Sequence, residues 1–114
     1  MKTLGTELKY QGRTRKQLKR EGRVALYAVF GRQEMLYGYE LIIIKILPEE
    51  EIFGKRYPER EAYPSGAKES LDWGSIAWSY PCTGRLKALA GFNHLCRKQQ
   101  EGDLEVSNLE IAEG

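Results

Sequence analysis

The chain has 114 residues, of which 41% are hydrophobic and 30% charged, with a formal net charge of +2. That is room for one domain with one core, and too little for two. A mean hydropathy of -0.55 and a longest apolar run interrupted at Lys45 fall far short of the ~20 apolar residues a membrane helix needs, and no apolar stretch near Met1 reads as a secretory signal. The expectation is a cytoplasmic domain with no membrane partner.

In chain order, Thr6 to Gln11 alternates polar residues with Leu8 and Tyr10 before Gly12, which predicts a short strand. A helix over 13–21 would have only Leu18 to bury, so a second strand returning through Glu21-Gly22 is the favoured reading there. Val24 to Phe30 is apolar on both alternating faces, and Leu36 to Leu47 repeats that pattern until Pro48 stops it. Two such runs joined by Gly31-Arg32-Gln33-Glu34 predict a long central hairpin, and Ile43 and Ile44 are expected to be buried on opposite faces of the sheet. From Pro48 to Ser75 the prolines at 58 and 64 and the run Glu49-Glu50-Glu51 predict a long ordered loop with one short extended piece. Ile76, Trp78 and Tyr80 alternate as a strand does, ended by Pro81. Thr83 is then placed to cap a helix over 84–100, with Leu86, Leu89, Ala90, Phe92, Leu95 and Cys96 toward the sheet, Lys87, His94 and Lys98 opposite, and Gly102 closing it. The predicted fold class is therefore α+β: a twisted antiparallel β-sheet, a meander with a long central hairpin, packed by one C-terminal α-helix. Residues 1–102 form the domain and 103–114 an acidic C-terminal tail.

Charge is unevenly placed. Residues 1–35 carry nine basic side chains against three acidic ones, whereas residues 99–114 carry five acids and no base. Arg13, Arg15, Lys16, Lys19, Arg20 and Arg23 are a dense single-sign cluster, the type of surface that neutralises phosphates and releases counterions, with Tyr10 and Tyr27 as neighbouring stacking surfaces. Nucleic-acid binding is one reading of it, and solvated charge that protects a sheet edge is the other. The aromatic residues Tyr57, Tyr63 and Trp73, set among glycines and prolines, suggest instead an exposed protein-binding face. Trp78 is read as packing under the helix.

Catalytic chemistry finds little support. Cys82 and Cys96 form no C-x-x-C pair, His94 is the single histidine, and Ser65 and Ser70 stand outside any G-x-S-x-G elbow. Two reduced, largely buried thiols, a solvated surface histidine and solvated loop carboxylates are the simpler readings, with no metal and no cofactor expected.

The stretch Tyr37 through Leu47, then Tyr63-Pro64-Ser65, Asp72-Trp73-Gly74, Ala77-Trp78-Ser79-Tyr80 and a helix with Ala88 and Phe92 resembles small uncharacterised proteins of bacterial phages and other mobile elements. The resemblance spans residues 22–95 and implies a non-enzymatic helper or inhibitor acting on a host or phage partner. Together with the aromatic segment it makes a protein-binding accessory or inhibitory module, monomer or homodimer, the expected function, with a small nucleic-acid-binding protein as the alternative.

Overall fold

The computed structural model describes residues 2–10, 12–64 and 76–102. Its elements are β1 (Glu7–Tyr10), β2 (Arg13–Glu21), β3 (Val24–Phe30), β4 (Leu36–Ile43), β5 (Lys45–Leu47), β6 (Glu50–Ile52), β7 (Lys55–Tyr57), β8 (Arg60–Ala62), β9 (Ala77–Pro81) and α1 (Arg85–Gln100). Five strands form one antiparallel sheet in the order β1-β2-β3-β4-β9. The first four make the expected meander. The chain then leaves the sheet for two small hairpin pairings, β5 with β8 and β6 with β7, and returns to lay β9 beside β4.

The two-sided apolar runs become the central strands because only there are both faces covered. On the front face, Val24, Leu26, Ala28, Tyr39, Leu41 and Ile43 pack against Ala88, Phe92, Leu95 and Cys96 of α1. On the back face, Ala25, Tyr27, Ile42, Ile44 and Ala77 lie beneath Leu4, Leu8 and Tyr63. Ile43 and Ile44 are accordingly buried in opposite layers, at 3% and 0% exposure.

The back layer is tied down by polar contacts. Tyr27 Oη donates to the Gly5 carbonyl at 2.7 Å, Gln17 N–H donates to the Thr6 carbonyl at 2.8 Å and Glu61 N–H to the Lys2 carbonyl at 2.9 Å. The N-terminal segment is thus a strap across the sheet, joined to β8 near Lys2 and to β3 and β2 at Gly5 and Thr6.

Four expectations need correction. The segment after Pro48 is not one loop with a single extended piece, since β6, β7 and β8 occupy it as far as Ala62. The helix begins one residue after Gly84, which takes the cap position with no side-chain bond, so Thr83 is not its cap. Leu86, 81% exposed, and Ala90, also exposed, do not face the sheet, because the buried positions Ala88, Phe92, Leu95 and Cys96 define a narrower stripe turned away from them. Cys82 is exposed, and only Cys96 is buried. Residues 13–21 are a strand as favoured, and Gly102 N–H closes the helix end on the Gln99 carbonyl at 3.1 Å.

Candidate functional site

The six basic residues singled out in the sequence do not share one surface. They sit on or just past β2, where alternation sends successive side chains to opposite faces, and a bulge between Gln17 and Lys19 resets it. Arg15, Arg20 and Arg23 turn inward. Arg15 is 6% exposed and donates from Nε to Glu40 Oε1 at 2.7 Å, while Tyr63 Oη donates to the same carboxylate oxygen at 2.5 Å. The Arg15 guanidinium also lies over the Tyr63 ring at 5.4 Å, and that ring meets Tyr27 edge-on at 5.3 Å. Burial and the adjacent Glu40 carboxylate push the Tyr63 phenol far above its ordinary range, so it stays protonated and keeps donating.

Arg20 forms a two-pronged pair with Glu61, at 2.9 and 2.6 Å, and Arg23 donates from Nε and Nη2 to the Ile44 carbonyl at 2.9 and 2.7 Å. Lys16 and Lys19 occupy the front face, lying over the rings of Phe30 and Phe92 at 5.3 and 5.4 Å, and Arg13 stacks on Tyr37 at 4.1 Å. Half of the cluster is therefore part of the fold. Tyr27, expected as a stacking surface, is fully buried.

Glu61 also accepts the Leu4 N–H at 2.8 Å, and its pairing with Arg20 holds its carboxyl below the ordinary 4.5. A carboxyl depressed on folding contributes stability that is present above the unfolded pKa and lost as pH falls through the folded one. The strap should thus loosen below pH 4.5, and Glu61→Gln should flatten that part of the stability–pH curve measured by urea denaturation. An unchanged acid limb in the variant would remove this pair from the account.

The aromatic segment is rearranged in the same way. Tyr63, expected at a partner surface, belongs to the buried Arg15–Glu40 network. Tyr57 is half-buried, with Lys55 and Arg60 each 5.6 Å from its ring centroid. Trp73 lies outside the described residues. What the segment exposes is the β6–β7 hairpin, closed by the two-residue turn Phe53-Gly54 with φ of +52° and +78°. Two positive φ values in a two-residue loop give the mirror-image turn that matches strand twist, where Asn-Gly is the usual pair.

Phe53 takes the first position at 103% exposure beside Ile52 at 41%. A bulky side chain at positive φ costs roughly 1–2 kcal/mol, and no packing offsets that here. Opposed side chains in this hairpin share a face, so Ile52, Lys55, Glu50 and Tyr57 lie on one side and Glu51 and Arg56 on the other. Arg60 braces the base, pairing with Glu50 at 2.9 Å. Sequence reasoning missed Phe53. The signal was an apolar pair, Ile52-Phe53, stranded between charge runs and followed by Gly54.

Among the described residues no group of three His, Cys, Asp or Glu side chains is placed to hold a metal ion. Burial pushes the Cys96 thiol up to about 12, with Glu21 adding to the effect, so it is a poor nucleophile. No described helix is long and apolar enough to cross a membrane. Comparison with protein-family models, curated proteins and solved structures found no match.

Proposed function

We propose that this chain is a non-enzymatic protein-binding module, accessory or inhibitory in role, that seats the β6–β7 hairpin tip in an apolar pocket of its partner. The observation that carries the reading is Phe53: a fully exposed aromatic ring held at φ +52°. Unfavourable backbone geometry with no compensating contact inside the molecule is the kind of strain that function maintains, and a projecting aromatic is the residue type that anchors interfaces. The likeness to mobile-element proteins agrees with this role, and the partner is then a host or phage protein.

Phe53→Asn separates anchor from scaffold. Asparagine suits the first position of this turn, so the variant should gain up to about 1 kcal/mol in urea denaturation. The same change should weaken partner capture by about 2 kcal/mol or more. Unchanged binding would sink the hairpin reading. Nucleic acid is the competing reading and rests on the solvent-facing Lys16, Lys19 and Arg13. Lys16→Gln with Lys19→Gln tests it without touching Arg15 or Arg20: a phosphate-binding surface would lose roughly two units from the slope of log affinity against log salt. The protein-binding reading expects partner binding to survive that pair of changes.

A further inference from the structure

A second surface lies on the opposite margin of the sheet. Strand β9 ends the strand order, and among the described residues no strand pairs with its outer edge. Ile76 carbonyl accepts from Ile43 N–H at 2.8 Å, so the backbone groups of 76, 78 and 80 turn toward β4 and those of Ala77 and Ser79 turn outward. Outward N–H and C=O groups are a template for an added strand.

Beside that edge runs a groove of about 270 Å³ between β9 and α1, with Leu41 and Leu95 as its floor, Trp78 and Tyr80 as its wall, and His94 and Lys98 on its rim. Both rim residues are exposed and stand one helical turn apart. Among the described residues, no acidic side chain lines the groove. Its depth depends on Gly91, where a Cβ would come within 2.8 Å of Tyr80 Oη and 2.9 Å of Leu41. A glycine in mid-helix is unfavourable relative to alanine, and here it lets α1 ride close to the sheet.

We propose that β9 and this groove bind an extended segment of a partner protein by strand addition. An added strand presents residues i and i+2 to the same face. One of them must be apolar to lie against Trp78 and Tyr80, and the other acidic to meet His94 and Lys98. The ligand class is thus an extended peptide with an apolar and an acidic side chain two residues apart. This site is separate from the hairpin, so failure of either leaves the other standing.

The test is fluorescence anisotropy of the full chain with a labelled heptapeptide of threonines carrying leucine at its third position and glutamate at its fifth. Saturable binding is expected. Moving glutamate next to leucine, which sends the two to opposite faces, should weaken it at least tenfold, as should Lys98→Glu in the protein. Methylating the peptide's backbone nitrogens on the edge-facing positions should do the same, because strand addition uses those N–H groups. No binding, or equal binding of a peptide with lysine in place of glutamate, overturns the proposal. So does binding that appears only after Asp103, Glu105, Glu110 and Glu113 are changed to Asn or Gln, since the groove's occupant would then be the chain's own acidic end.

Discussion

Arg15→Met is expected to destabilise the domain by about 3–5 kcal/mol, because it strips the buried Glu40 carboxylate of its cation. Glu40 is 7% exposed and would retain only the Tyr63 hydroxyl among the two partners described. The diagnostic measurement is the repair. Removing the pair together, as Arg15→Met with Glu40→Met and Tyr63→Phe, leaves no charge and no stranded donor in the network, and apolar replacement of a buried ion pair is commonly neutral or favourable. The triple variant should therefore recover most of the loss in urea denaturation. A single-variant cost under about 1 kcal/mol would mean that the pair behaves as an exposed one. This result also bears on function, since a residue that the back face needs for folding is not free to read phosphate.

The helix gives the second large effect. Phe92 is 5% exposed and packs in the front cluster, so Phe92→Ala should cost about 3–5 kcal/mol. His94→Ala and Leu86→Ala should each stay within about 0.5 kcal/mol, because neither side chain is buried. The three values, read from one set of denaturation curves, map the buried stripe of α1. A Leu86 effect comparable to that of Phe92 would place Leu86 within the buried stripe, and a His94 variant that folds normally yet loses peptide binding would place the rim residue in the groove's function.

Periodicity made the sheet and helix legible. Val24–Phe30 and Leu36–Ile43 have no polar face, and an element of that kind is stable only in the middle of a covered sheet. What covers the back face was not legible, because Leu4, Leu8 and Tyr63 are isolated apolar residues whose convergence depends on tertiary pairing 57 residues apart in the chain, as at Leu4 and Glu61. The basic cluster misled for a related reason. Sequence shows that Arg15 and Arg20 are near each other, but not that Glu40 and Glu61 come to meet them. Phe53 escaped notice because turn chemistry leads one to look for Asn-Gly, and Phe-Gly satisfies the same geometry only at an energetic cost.

The detour between β4 and β9 sets an order of events during synthesis and refolding. Strands β1 to β4 pair through short connections, whereas Ile43 meets Ile76 only after the intervening excursion has been closed, and a pairing across so long a separation carries more loop-closure entropy than a hairpin does. Until β9 docks, β4 presents a bare edge carrying Leu41, Ile42 and Ile43 in succession, a segment of high β-propensity with few charges. The chain should be most prone to self-association in that interval, and its refolding yield, measured by light scattering and recovered soluble protein, is expected to fall as its concentration rises.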